Sequence, residues 1–351
     1  MLRIAVDVMG GDNAPDEIMK GIAEASHEYN AEFKLVGARK AINNLINKYE
    51  FRSNSFEIIP AEDLIDMDES PRNALELKPG ASVAVAAQIV AEDKSDVLLS
   101  AGNTGGLVLS AAKYIPMIEG VERGALATIF PVANFDGSGP DFSFLLDVGA
   151  TIKCETKHLV HFAYMGQVYM ESVFGLRKPK IGLLNIGSED TKGGQVLRHT
   201  FNFLKESSEF NFIGNIEGSD ILKGKADVIV CEGFTGNVLI KFAEGVQETL
   251  SNLGEIAAKK KITNKIALGL LSSGIKEVKS RMDYSEYGGA PILGFKKLCI
   301  KAHGKSRAKA IKNAVRVAVK SYQDEICVKI HDSIRKFNQK LLLSDNGGVA
   351  L

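Results

Sequence analysis

What most constrains the fold of this chain is its alternation of short apolar runs with longer amphipathic ones. Ile4–Val8, Phe33–Gly37, Ser55–Pro60, Asp96–Ser100, Ala125–Phe130, Phe142–Asp147, Lys180–Ile186, Phe210–Gly214, Asp227–Cys231 and Lys297–Ala302 are rich in Val, Ile and Leu, and most are apolar throughout. Strands of that kind are buried on both faces, as in a mainly parallel sheet. Between them, Asp16–Tyr29, Ser82–Ala91, Lys157–Phe174 and Gln195–Glu206 carry helical periodicity. A parallel strand reaches its neighbour only through a crossover, and helices of this length supply one. The alternation therefore predicts a three-layer α/β/α fold with a mainly parallel, doubly wound sheet. No Pro-rich linker or internal repeat divides the chain, so residues 1–340 are expected to form one domain, followed by a tail over 341–351.

Two segments break the alternation. Between Val238 and Met282 there is no strand pattern but two apolar stripes, one through Leu239, Phe242, Val246, Leu250, Leu253 and Ala257, the other through Leu271, Ile275, Val278 and Met282. Steps of three and four residues predict helices, and the pair predicts a hairpin over 238–282 that turns near Ile262–Asn264 and projects from the domain. From Lys305 onward, Ile311, Val315, Ala318, Tyr322, Ile326, Ile330, Ile334, Phe337 and Leu341 mark one face of a single long terminal helix.

Charge narrows the partners. Lys plus Arg and Asp plus Glu each number 43, and a formally neutral chain argues against a nucleic-acid partner. The neutrality is a cancellation, because residues 1–255 hold 23 basic and 36 acidic side chains whereas residues 256–340 hold 20 and 6. A basic region on an acidic body points to an anionic partner, either a membrane surface or an acidic protein. The hairpin concentrates this charge at Lys259, Lys260, Lys261 and Lys265 beside apolar Leu268, Leu270 and Leu271. That arrangement reads as a dimer contact with a charged rim or as an interfacial amphipathic element. Cys154, Cys231, Cys299 and Cys327 are widely spaced with no CxxC, as expected of free thiols in a reducing cytosol. Met1–Asp7 lacks signal-peptide architecture. The longest uncharged stretch, Val97–Ala112, is interrupted by the glycines at 102–106 and falls short of the ~20 apolar residues a span needs.

Chemistry is expected at six glycine-bearing turns, each following a strand: Asp7–Asp12, Ser100–Gly106, Asp147–Ala150, Asn185–Gly194, Glu232–Asn237 and His303–Ser306. Glycine lets the backbone approach a ligand, and a following helix start offers unpaired N–H groups to an anion. In an open parallel sheet these turns converge on the carboxyl edge, where ligands bind. No complete P-loop, dinucleotide fingerprint or nucleophile elbow is present, and neither a metal nor a cofactor is expected. The polar inventory is Asp7, Asp12, Asn103, Asp147, Asn185, Lys192, Asn237 and His303. It suits positioning a preformed nucleophile such as phosphate and stabilising developing charge. Asp7, Asp147 and Asn237 also fit simple capping roles, and His158, His161 and His199 read as structural. The acids of Glu62–Glu69 read as a solvated loop.

Taken in order, these turns resemble the acyl-acyl-carrier-protein:phosphate acyltransferases of bacterial phospholipid synthesis. The matching stretches are Ala5–Pro15, Ser100–Gly106, Leu145–Ala150, Gly182–Gly187, Gly233–Asn237, Tyr287–Ala290 and Ala302–Gly304. The resemblance implies transfer of a long acyl chain from acyl carrier protein to inorganic phosphate. It also implies a homodimer, a fold related to phosphate acetyltransferases and isocitrate-type dehydrogenases, and a cytoplasmic protein peripherally bound to the inner face of the membrane. Lys192 and Asn237 resemble the family's catalytic pair. Asp7, Gly10, Gly11, Asp12, Asn103, Thr104, Gly105, Gly106, Asp147, Asn185, Gly236 and His303 resemble its substrate cleft. The family's usual basic run is replaced here by Leu75–Ala81, which has Lys78 alone. The alternatives are a short-chain acyl-coenzyme A phosphate acyltransferase and a non-catalytic scaffold that binds carrier protein.

Overall fold

A computed structural model describes residues 1–133, 140–260 and 288–344. The strands are β1 (Leu2–Asp7), β2 (Ala31–Gly37), β3 (Phe56–Pro60), β4 (Val97–Ser100), β5 (Ala125–Pro131), β6 (Phe142–Leu146), β7 (Lys180–Leu184), β8 (Asn211–Ile216), β9 (Val228–Val230), β10 (Ala290–Leu293) and β11 (Leu298–Lys301). The helices are α1 (Asp16–Glu28), α2 (Arg39–Lys48), α3 (Pro71–Leu77), α4 (Ser82–Ala91), α5 (Thr104–Tyr114), α6 (Thr156–Val173), α7 (Gln195–Glu206), α8 (Gly218–Ile221), α9 (Gly233–Lys260), α10 (Ala308–Gln323) and α11 (Ile326–Ser344). All eleven strands join one sheet in the order β3-β2-β1-β4-β11-β10-β5-β6-β9-β7-β8. Every apolar run noted in the sequence is a strand of this sheet, and the three-layer, mainly parallel architecture is the expected one.

The apolar runs are explained by what lies on each face. Ile4 and Val6 of β1 join Phe33, Leu99, Ile22 and Ile311 in a core under α1 and α10, while Ala5 faces the opposite core with Leu98 and Cys299. That second core runs without interruption across the sheet through Leu126, Leu145 and Ile229, under α4, α5 and the start of α9. On the first face the other half of the sheet has its own core, where Phe144, Leu146 and Val228 meet α6 and α11. Burying a side chain of this size contributes roughly 1.5–3 kcal/mol, so strands apolar on both faces are held from both sides.

Three expectations are corrected. First, β10 was not legible in the sequence: four residues containing Pro291 carry little strand pattern, and proline tolerates few sheet positions. Its effect on topology is large. Strand β10 is antiparallel to both β11 and β5, and β5 is antiparallel to β6. The group β6-β9-β7-β8 therefore runs opposite to β3-β2-β1-β4-β11, and the six glycine turns fall on two opposite edges of the sheet, three to each.

Second, the terminal segment is two helices, broken at Asp324–Glu325, where Glu325 adopts a left-handed φ of 52°. The periodicity continues through the break because each helix feeds a different core. Ile311, Val315 and Ala318 of α10 pack in one half, and Ile326, Ile330, Ile334 and Phe337 of α11 pack in the other.

Third, the first arm of the expected hairpin starts at Gly233, earlier than Val238, and its stripe is not uniformly buried. Leu239 packs against the core, whereas Phe242 is 70% and Val246 41% exposed. Lys259 and Lys260 end α9; Lys261, Lys265, Leu268, Leu270 and Leu271 lie outside the described residues, as does the second arm to Met282. Among the described residues no helix is long and apolar enough to cross a membrane.

Candidate active site

The turns after β1, β4 and β11 form one group. Asp7 ends β1 almost fully buried, and its two carboxylate oxygens accept hydrogen bonds from Ser82 and Ser100, each at 2.6 Å. Burial pushes its carboxyl up from the ordinary carboxylate range, while the two hydroxyls and the amides of Met9 and Gly10 pull it back down. Its oxygens are thereby committed to holding the Gly10 and Gly102 turns together. Gly10 lies so close to this carboxylate and to Gly102 that a Cβ there falls 2.8 Å from Gly102 backbone atoms. Gly11 and Asp12 dock on the last turn of the group, the Asp12 amide donating to the Gly304 carbonyl at 2.9 Å. Asn103 caps α5 by accepting from the Gly106 amide at 3.1 Å, with Gly105 between them. Its Nδ2 donates to the carbonyls of Asp66, Met67 and Glu69 at 3.1–3.2 Å. The acidic loop is thus pinned to the cleft at Asn103, not simply solvated. Lys78, in the segment that lacks the family's basic run, is paired with Glu69 at 2.7 Å.

The turns after β6, β7 and β9 form the second group, organised by a second buried aspartate. Asp147 Oδ1 accepts from the amides of Leu126, Gly149 and Ala150 at 2.9–3.0 Å, and Oδ2 from Thr151 at 2.5 Å. Burial still pushes its carboxyl up to about 6 against these four donors. The loop it holds meets α9 directly. Gly149, at a φ of +137°, lies against Asn237, whose Nδ2 falls 2.8 Å from where a Cβ would stand. A side chain there is strained by the backbone conformation and would displace the Asn237 amide. Gly236 presses on the Asp147 carbonyl in the same way. Asn185, buried after β7, folds its own turn closed: Nδ2 donates to the Lys192 carbonyl at 3.1 Å and Oδ1 accepts from Ile186 at 2.8 Å. That leaves the Lys192 amine outward, 46% exposed and 3.8 Å from Glu189. Strands β7 and β9 pair in parallel, so Lys192 and Asn237 leave the sheet from the same edge.

Helix α9 connects the two groups. It starts beside Asp147 and runs toward the other edge; Glu244 lies seven residues past Asn237, ~10 Å along the axis, and reaches His303 Nε2 at 3.4 Å. His303 and Lys241 together hold the Glu244 carboxyl down at about 2. His303 Nδ1 accepts from the Lys305 amide at 3.1 Å. Thr104, Asn237, Glu244, Lys301 and His303 all face one cavity of about 560 Å³, whose remaining walls are mostly apolar. Opposite strand directions therefore do not separate the two groups, because the helix carries one toward the other. Lys192 is not in this cavity.

Lys301 was missed by the sequence reading. It is 7% exposed at the end of β11, and its ammonium donates to the carbonyls of Ala101, at 3.3 Å, and Ala302. Burial lowers it from 10.5 to about 8, with Asp7 opposing. The signal for it was a lysine closing an apolar strand just ahead of Ala302-His303-Gly304. Of the three histidines read as structural, His158 and His161 are buried residues of α6 itself and His199 is exposed on α7.

A three-layer α/β/α enzyme fold with a cleft between two half-sheets is the class these observations define. It is shared with solved structures. A phosphotransacetylase from Streptococcus pyogenes superposes with a TM-score of 0.60 at 15% identity, covering 91% of this chain and 93% of its own. A branched-chain phosphotransacylase from Enterococcus faecalis gives 0.54 at 15% identity, covering 94% and 99%. In sequence, the phosphate acyltransferase of Dictyoglomus turgidum is 44% identical over 339 residues, 97% of this chain and 99% of that protein. That of Heliobacterium modesticaldum is 41% identical over 334 residues, 95% and 98%. A model of the family described as "Fatty acid synthesis protein" matches residues 2–329. The chain belongs to this family and is an acyltransferase.

Proposed function

We propose that the chain transfers a long fatty acyl group from the thioester of acyl carrier protein to inorganic phosphate, yielding acyl phosphate and free carrier protein for phospholipid synthesis. The observation that carries this reading is the 44% identity over nearly the whole chain to a protein named phosphate acyltransferase. The geometry agrees with it in kind: an apolar cavity opens beside the glycine turns, with Thr104, Asn237, Lys301 and His303 in its wall.

In the reaction a hydrogen phosphate oxygen attacks the thioester carbonyl and the C–O bond forms as the C–S bond breaks. The proton of the phosphate ends on the departing thiolate, so no oxidant, reductant or further reactant is needed. Lys192 and the turn amides hold phosphate, and Asn237 or neighbouring N–H groups receive the developing oxyanion. Asp7, Asp147, Asn103 and Asn185 act as the frame, because their side chains are already committed to the turns.

The chain works as a cytoplasmic homodimer peripherally bound to an anionic membrane. The exposed apolar stripe of Phe234, Val238, Phe242 and Val246 on α9 supports a dimer contact. The basic run from Lys259 to Lys265 supports the membrane contact. The test of the reaction is phosphate-dependent loss of acyl carrier protein thioester, run beside the coenzyme A thioester of the same acyl group. Preference for coenzyme A selects the short-chain alternative, and no turnover with either selects the scaffold.

A further inference from the structure

One apolar cavity adjoins the seam where the two half-sheets meet, at β10 and β5. Strand β10 pairs with β5 only at Ile292↔Leu126 and Leu293↔Ala125. Past Leu126 no further ladder pair follows, and Ala290 and Pro291 of β10 and Thr128–Pro131 of β5 all line the cavity, β5 running on past the end of β10. Residues of α9 line it on one face of the sheet, while Tyr169 of α6 and Val317 of α10 line it on the other, so it passes between the half-sheets. Along its length the walls are apolar: Leu126, Phe130, Phe144, Leu239 and Ile240. Thr104, Asn237, Lys301 and His303 gather on the α9 side, and Arg316 and Lys320 rim the far side. Interiors are otherwise packed with few voids larger than a water molecule, and an unfilled apolar void costs stability in proportion to its volume. A slot of this size that ends beside the glycine turns has the form of a binding site.

We propose that this slot seats the fatty acyl chain of the donor, its carbonyl end beside Thr104, Asn237 and His303 and its methyl end toward Tyr169 and Phe174. The assignment rests on the acyl-transfer reading above and adds where the chain lies and what measures its length. From Leu126 to Pro131, β5 spans ~17 Å along the slot, so depth is set by the protein and not by the membrane. The occupant is a linear hydrocarbon rather than a protein segment, since the walls between the two ends offer apolar side chains and little to satisfy a backbone.

The test narrows the slot without touching the polar end. Thr128→Phe, at a half-buried wall position, and Val317→Phe, half-buried on the α10 wall, are compared with the native chain on butanoyl, octanoyl and palmitoyl carrier-protein thioesters, with phosphate present. The native protein is expected to gain about tenfold in kcat/KM for every two methylenes seated. Both variants are expected to lose at least about tenfold on palmitoyl while staying within about twofold on butanoyl. Folded variants that lose activity equally at every length, or at none, overturn the assignment.

A second readout does not depend on either variant. A palmitoyl thioester carrying a diazirine at its methyl end is expected to label Tyr169, Phe174 or their neighbours; labelling confined to α9 beyond Gln247 overturns the slot. A native protein that is labelled there but turns over no thioester contradicts the catalytic reading and leaves the slot in place. Turnover without labelling or length discrimination does the reverse.

Discussion

Replacing Lys301 with methionine isolates the cost of burying its charge. The lysine is almost fully buried, and burial lowers its ammonium from 10.5 to about 8. That shift of about 2.5 pH units, at 1.36 kcal/mol each, corresponds to ~3 kcal/mol. Below pH 8 the amine is charged in both the folded and the unfolded chain, and the full cost is present. Between pH 8 and 10.5 the folded amine gives up its proton while the unfolded one keeps it. The unfolded state then binds more protons, so the wild type gains stability as pH rises. Methionine has no such titration. The loss of the hydrogen bonds to Ala101 and Ala302 adds a penalty of ~1–3 kcal/mol per carbonyl, but this is independent of pH and cancels from the slope. Urea unfolding at intervals across this range is therefore expected to show the stability of the wild type, relative to Lys301→Met, rising by ~3 kcal/mol. Parallel pH profiles would mean that the amine reaches water in the folded protein and that its charge is not buried.

Asp147 predicts the opposite slope at the acid end. Its folded carboxyl titrates at about 6 against 3.8 unfolded, so the wild type is expected to lose ~3 kcal/mol relative to Asp147→Asn between pH 4 and 6; a flat difference in unfolding free energy refutes the buried charge. Lys192→Ala is expected to lower kcat/KM by about a hundredfold, in the range of removing one transition-state donor, with weaker phosphate affinity. Steady-state kinetics that leave both unchanged remove Lys192 from the mechanism. Reversing the charge of Lys259, Lys260, Lys261 and Lys265 is expected to abolish flotation with anionic liposomes, because each basic side chain near such a surface contributes ~1 kcal/mol. Flotation insensitive to the reversal argues against the lipid contact.

Much of the fold was legible because burial on both faces leaves a strand no choice but to be apolar throughout. Val97–Ser100 and Val228–Val230 are short yet readable for that reason. Strand β10 was not, since Pro291 sits inside it and hides the pattern, and with it went the reversal that puts the turns on two edges. The break at Glu325 was hidden by a periodicity that continues while the partner core changes. Within the site, the turns and their order were readable, but the division of labour was not. A sequence does not distinguish Asp7, whose oxygens are held by Ser82 and Ser100, from an aspartate that faces substrate. Those partners lie 75 and 93 residues away. Lys301 escaped notice for a related reason, as its significance depends on burial created by the turn after β4.

On the proposed function, acyl carrier protein thioester and phosphate are joined in one reaction at this cleft. Incubation of the native protein with palmitoyl carrier protein, with and without phosphate, tests it directly through the appearance of acyl phosphate, trapped as the hydroxamate. Acyl phosphate and free carrier protein are expected in equal amounts, only when phosphate is present. Release of free fatty acid instead, or thioester loss indifferent to phosphate, would contradict it.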